Sequence, residues 1–123
     1  MNSQFPRPRK SLGQNFLTDH NIIRKIVAAA DLQPGDNILE IGPGRGAMTE
    51  LLAQKVDNLL AVEFDRDLAS ILREKYADSV NVKIHEQDIL KVDFKSLLNN
   101  QKYKVVANLP YNISTPVLFR FLE

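Results

Sequence analysis

The stretch Asn37-Ile38-Leu39-Glu40-Ile41-Gly42-Pro43-Gly44-Arg45-Gly46 restricts the fold of this chain more than any other. A short apolar run reads as a strand. Three glycines then force a tight turn before apolar positions resume at helical spacing in Met48, Leu51 and Leu52. A strand that leads through a glycine turn into a helix begins a βαβ unit, and the rest of the chain continues the alternation. Residues 59–62 form an unbroken apolar run, as in a parallel strand buried on both faces. Leu68, Ile71, Leu72 and Lys75-Tyr76 follow at helical spacing, with Asp65 or Asp67 as cap. Val80, Val82 and Ile84 alternate with polar residues, which predicts a half-exposed edge strand.

Residues 104–107 read as a further buried strand. The segment from Ser114 to Glu123 reads as the start of a helix with Val117, Leu118, Phe121 and Leu122 as its apolar positions. Ahead of the first strand, Thr18 and Asp19 offer a cap for a helix carrying the stripe Ile22, Ile23, Ile26, Val27 and Ala30, ended by Pro34-Gly35. The expected fold class is α/β with a parallel sheet. The last helix shows no stop signal, so the chain is expected to break off inside a domain, at Glu123.

A chain of 123 residues suffices for one domain with a core. No apolar run approaches the roughly 20 residues of a membrane helix, and the amino terminus lacks the apolar stretch of a secretory signal. There is no cysteine, which excludes disulfides, thiolate metal sites and thiol nucleophiles together. These features lead us to expect a cytoplasmic protein without metal or membrane partners. Net charge is only +1 but is unevenly spread. Arg7, Arg9, Lys10, Arg24 and Lys25 face a single acid, Asp19, in the first 25 residues, whereas acids outnumber bases in the remainder. A basic arm over 1–17, ahead of a mildly acidic body over 18–123, can track a phosphate backbone; it can equally be a solvated chain start.

Four places carry candidate chemistry. The glycines Gly42, Gly44 and Gly46 let a ligand approach the backbone, and with Ala47 they also satisfy the loose dinucleotide fingerprint G-x-G-x-x-A. Glu40 lies within the strand, where a buried carboxylate needs a partner such as a cofactor's amino group. Glu63, at the carboxyl end of the second strand, can accept both hydroxyls of a ribose. Asp88, just past the third strand, can accept from an adenine amine, although a turn or cap aspartate is the plainer reading of that residue by itself.

The fourth place is Asn108-Leu109-Pro110-Tyr111, directly after the fourth strand. An adenine exocyclic amine is a poor nucleophile because its lone pair is delocalised into the ring. The Asn108 side-chain oxygen and the Leu109 or Pro110 carbonyl can accept its two N–H bonds and let the nitrogen pyramidalise. Pro110 fixes the local backbone, and Tyr111 offers a ring for a flipped-out base. His20 and His85 stand alone, with no metal-ligand cluster and no nucleophile–base pair.

Residues Lys10-Ser11-Leu12-Gly13-Gln14-Asn15-Phe16-Leu17 and Asn108-Leu109-Pro110-Tyr111-Asn112-Ile113-Ser114-Thr115-Pro116, with Glu40 to Gly46 between them, closely resemble the bacterial small-subunit ribosomal RNA adenine N6,N6-dimethyltransferases. The resemblance covers residues 10–123. It implies a Rossmann-like S-adenosylmethionine-dependent methyltransferase fold, here truncated after the fourth strand of the sheet and without a carboxy-terminal helical domain. It implies that Asn15 and Leu17 line the cofactor site, that Gly42 lies beside the methionine part, that Glu63 holds the ribose and Asp88 the adenine. Asn108 is then placed where cofactor and target base meet, with Tyr111 stacked on the target. It implies S-adenosyl-L-methionine as cofactor and two adjacent adenines of small-subunit (16S) rRNA as substrate, late in ribosome biogenesis.

The longer protein is expected to be a monomer, whereas an uncovered fourth strand would make this chain prone to self-association, and the chain is expected to be catalytically incompetent by itself. Three alternatives stay open at this point: the large-subunit rRNA adenine methyltransferases of macrolide resistance, a non-catalytic ribosome-assembly binding module, and a nicotinamide dehydrogenase.

Overall fold

The computed structural model describes residues 20–107 and, for its backbone only, the strand 117–121. In chain order it contains α1 (His20–Ala29), β1 (Asn37–Ile41), α2 (Ala47–Ala53), β2 (Asn58–Glu63), α3 (Arg66–Lys75) and β3 (Val82–Glu86). A 3-10 turn (Ile89–Lys91), a short helix α4 (Phe94–Leu97), β4 (Tyr103–Ala107) and β5 (Val117–Phe121) complete it. The strands form one sheet in the order β3-β2-β1-β4-β5. β3, β2, β1 and β4 run parallel, and β1 sits at the centre with Leu39 opposite both Leu60 and Val105.

Alternation along β1 assigns its residues to two cores. Ile38 packs with Ile23, Ile26 and Val27 of α1, Met48 and Leu52 of α2, and Leu59 and Val106 of the neighbouring strands. Leu39 faces the other side, with Leu60, Val62, Tyr103 and Val105, where the crossover residues Ile89, Val92, Phe94, Leu97 and Leu98 close over it. Burial of both faces explains why β2 carries no polar alternation. β3 is the edge strand that its alternation predicts, buried at Val82 and exposed at Lys83 and Glu86. Asp65, not Asp67, caps α3: its Oδ1 accepts from the amides of Asp67 (2.9 Å) and Leu68 (3.1 Å).

Two expectations are overturned at the carboxy-terminal side. The segment read as a helix from Ser114 to Glu123 contains β5, which pairs antiparallel with β4 from Tyr103↔Phe121 to Ala107↔Val117. Consequently β4 is not an open edge and the sheet does not stop at its fourth strand. The physical reason lies in the run Val117-Leu118-Phe119-Arg120-Phe121. A short apolar run rich in β-branched and aromatic residues carries no decisive periodicity. The unpaired N–H and C=O groups along β4 then favour strand over helix.

One long-range polar contact locks α1 onto the sheet. Lys104 Nζ on β4 donates to the carbonyls of Ala30 (3.1 Å) and Asp31 (2.7 Å) at the end of α1, and pairs with Asp36 Oδ2 at 2.8 Å. Both side chains are mostly buried, so removing one leaves carbonyls and a carboxylate without their cation. Lys104→Met is expected to lower unfolding free energy by about 2–3 kcal/mol, read from urea midpoints at constant m-value. A change below about 0.5 kcal/mol would show that this contact is ornamental.

Candidate cofactor site at the carboxyl ends of the strands

The glycine turn, Glu63 and Asp88 are brought together because β1, β2 and β3 are parallel neighbours and end at the same rim of the sheet. Gly42 N donates to Val62 O at 2.9 Å, which ties the turn to the end of β2. Gln87 N donates to Glu63 O at 3.0 Å, which ties the segment after β3 to the same point. Gly42, Gly44 and Gly46 all have positive φ (68°, 59° and 89°), where a side chain is strained. Gly46 serves packing as well: a Cβ there would lie 2.8 Å from Leu72 Cδ2 of α3.

Glu63 organises this rim. It is only 7% exposed. Its Oε1 accepts from Gly44 N at 2.9 Å and its Oε2 from Asp65 N at 2.8 Å. Both oxygens thus accept from backbone amides. With about four lone-pair positions per carboxylate, it retains two for further donors such as vicinal hydroxyls. Asp88 Oδ1 accepts from Leu90 N at 2.9 Å and begins the 3-10 turn, the capping role that the residue suggests by itself.

Glu40 behaves differently from Glu63. It is fully enclosed on the face toward α2, where Thr49 Oγ1 donates to its Oε1 at 2.6 Å. Its Oε2 has no partner among the described residues. Burial, which the Thr49 bond partly offsets and the nearby Glu63 reinforces, pushes its carboxyl up to about 8. The Tyr76 hydroxyl, at the end of α3, is likewise buried and has no partner among the described residues. Burial, with Glu50 and Glu40 adding to it, pushes its hydroxyl up to about 12.

Of the residues expected in the site, the structure therefore places Glu40, Gly42, Gly44, Glu63 and Asp88. Asn15, Leu17, Asn108, Pro110 and Tyr111 lie outside the described residues. Three residues at the rim were not singled out by the sequence. Thr49 holds Glu40, whereas Phe64 (70% exposed) and Leu90 (90% exposed) present apolar surface beside Glu63 and Asp88. An aromatic residue between Glu63 and Asp65-Arg66-Asp67 was the available signal for Phe64. His85 Nε2 contacts Gln87 Oε1 at 2.6 Å. A groove of about 450 Å³, lined by Arg24, Val27, Leu51 and Lys55 among others, shares no residue with the rim. Among the described residues no group of His, Cys, Asp or Glu is arranged to hold a metal ion, and no helix is long and apolar enough to cross a membrane.

Residues 6–123 match the family model described as ribosomal RNA adenine dimethylase. "Ribosomal RNA small subunit methyltransferase A" of Geobacter metallireducens is 50% identical over 120 residues, covering 95% of this chain and 44% of the relative. The protein of the same name from Coxiella burnetii is 50% identical over 115 residues, 94% of this chain and 45% of its own length. The chain thus spans less than half the length of these relatives. Among solved structures, the 23S rRNA methyltransferase ErmE is similar at TM-score 0.59 and 27% identity, over 76% of this chain and 48% of that one. A dimethyladenosine transferase from Plasmodium falciparum shares the fold at TM-score 0.57 and 20% identity, over 72% and 42%.

Proposed function

The chain belongs to the ribosomal RNA adenine dimethylase family, and from that premise we propose that it supplies the S-adenosylmethionine-binding part of a small-subunit rRNA adenine dimethyltransferase. The observation that carries this reading is the convergence of the glycine turn, Glu63 and Asp88 on one rim, with the Gly44 amide held by Glu63 itself. The residues present fit the cofactor. Positive-φ glycines leave backbone exposed for the methionine moiety, Glu63 retains acceptor capacity for ribose hydroxyls, and the unpartnered Glu40 Oε2 is an acceptor for an ammonium group. Phe64 and Leu90 offer apolar faces for the adenine ring, with Asp88 accepting from its amine. Asn15 and Leu17 complete the lining from the amino-terminal arm. When bound, the cofactor supplies an electrophilic methyl on a sulfonium.

The chain's own groups do the rest. The Asn108 oxygen and the carbonyl of Leu109 or Pro110 accept the two N–H bonds of the target amine, and Tyr111 stacks on the extruded base. None of these is basic enough to take a proton early. Deprotonation therefore accompanies or follows transfer, and the rate gain comes from positioning and electrostatics. The substrate reading, two adjacent adenines of small-subunit rRNA methylated in the cytoplasm during ribosome biogenesis, is favoured by relatives named for the small subunit at 50% identity, against 27% for the 23S enzyme. Family membership leaves the dehydrogenase reading without support. Radiolabelled methyl transfer to purified small and large subunits, by a protein carrying this segment at its relatives' length, tests the substrate. Labelling of the large subunit alone would overturn it.

Glu63→Ala is expected to weaken S-adenosylmethionine binding by about 1–3 kcal/mol, the usual cost of losing hydrogen bonds to a charged group. The titration is calorimetric, on variant protein shown to be folded. Unchanged affinity would remove Glu63 from the ribose.

A further inference from the structure

From Gly42 to Ala47 the turn has the spacing of a dinucleotide-binding loop, G-x-G-x-x-A, yet its glycine amides are already committed. Gly42 N donates to Val62 O, Gly44 N to Glu63 Oε1 and Gly46 N to Pro43 O, each at 2.9 Å. In a dinucleotide loop the second glycine lets the backbone approach a pyrophosphate, and the acid beyond the second strand is used on the ribose. Here the acid at the end of β2 reaches back to the second glycine. Glu63 Oε1 takes the Gly44 N–H that a phosphate oxygen would need. Its Oε2 is held by Asp65 N at 2.8 Å, which fixes the carboxyl group in that position. Glu63 is largely buried, and turning it away would leave two backbone amides without their acceptors. The charge nearby acts in the same sense. Glu63, Asp65, Asp67 and Asp88 lie beyond the ends of β2 and β3, against the cations Arg45 in the turn and Arg66 in α3.

We propose that Glu63 makes this rim selective for adenine nucleosides whose 5′ substituent carries no phosphate, by seating its own oxygen on the amide that a phosphate would use. The inference rests on the cofactor reading above and deepens it. The lone pairs that Glu63 has left are acceptors. Ribose hydroxyls donate, and so meet them favourably. A phosphate at neutral pH offers acceptor oxygens and negative charge, and finds both the Gly44 amide occupied and an acid beside it. A 5′-sulfonium or thioether needs no amide and meets no such opposition. One residue therefore does two things: it accepts the hydroxyls of a nucleoside and turns away the nucleotide. The glycine spacing shared with dinucleotide loops serves close backbone approach here, and Glu63 decides which ligand class can use it.

The test is titration of this chain, followed by amide NMR, with 5′-methylthioadenosine and with adenosine 5′-monophosphate. The two share base and ribose and differ at the 5′ position. The unaltered chain should bind the thioether at least about tenfold more tightly than the phosphate. Glu63→Gln puts an N–H group where an acceptor stood, and whichever way its amide turns, one of the two backbone amides loses its acceptor. In that variant the preference should fall to within about threefold, whatever affinity both compounds lose through the ribose. Asp67→Asn removes an exposed acid from the first turn of α3 and should change the preference by less than about threefold, which separates the effect of Glu63 from overall charge. Equal affinity of the unaltered chain for the two compounds would overturn the inference and leave the cofactor reading intact, as would a preference kept in full by folded Glu63→Gln. Failure of the unaltered chain to bind either compound or S-adenosylmethionine would overturn both.

Discussion

At about pH 8 the Glu40→Gln chain is expected to be more stable toward urea than the unaltered chain by on the order of 4 kcal/mol, with the gap closing toward about pH 5. The carboxyl is raised from its ordinary value of 4.5 to about 8 in the folded state. Between those values the native chain holds a proton that the unfolded chain has lost. Stability is therefore fully present below the unfolded value and falls as pH rises, until the folded group also ionises. Glutamine has the shape of the protonated acid, keeps an oxygen for Thr49 Oγ1, and cannot ionise. An effect of this size is a large part of the total for a domain of this length. Urea midpoints across a pH series check it. Parallel profiles for the two chains would mean that Glu40 is not held protonated by its burial.

Asn108→Ala is expected to remove methyl transfer by about a hundredfold or more, the order found when one preorganised hydrogen-bonding group is lost from a reacting centre. The assay requires a protein with this segment at the length of its relatives. There the variant should keep RNA binding nearly intact, because the groups assigned to phosphates are Arg7, Arg9 and Lys10. Replacing those three should do the reverse, weakening RNA binding and flattening its salt dependence while sparing the cofactor. Near-normal turnover of Asn108→Ala on small subunits would remove Asn108 from the reacting amine.

Much of this architecture is legible in the sequence because apolar pattern and turn chemistry agree. β2 announces itself by an unbroken apolar run, and β1 by apolar residues around Glu40 followed by three glycines after Ile41 that mark the turn before α2. The sequence suggests a helix at β5 because a short, mostly apolar run fits helix and strand alike, and only the pairing demand of β4 decides between them. The Glu40–Thr49 bond joins residues nine apart across the turn, so its existence depends on how sharply the chain reverses. The two amides on Glu63 were equally invisible, because they come from the conformation of the turn and not from any side-chain type. Asp88 shows the opposite case: its local capping bond was readable, but capping alone does not disclose a second role.

The proposed occupant of the rim formed by the glycine turn, Glu63 and Asp88 is S-adenosylmethionine. Backbone amide chemical-shift mapping of this chain tests it most directly, with S-adenosylmethionine and NAD added in turn. Saturable shifts with S-adenosylmethionine are expected, centred on Gly42, Gly44, Glu63 and Asp88, with Asn81 and Lys104 unmoved and no response to NAD. Shifts centred on the groove around Arg24 and Lys55, or an NAD response at the glycine turn in place of the S-adenosylmethionine response, would contradict it.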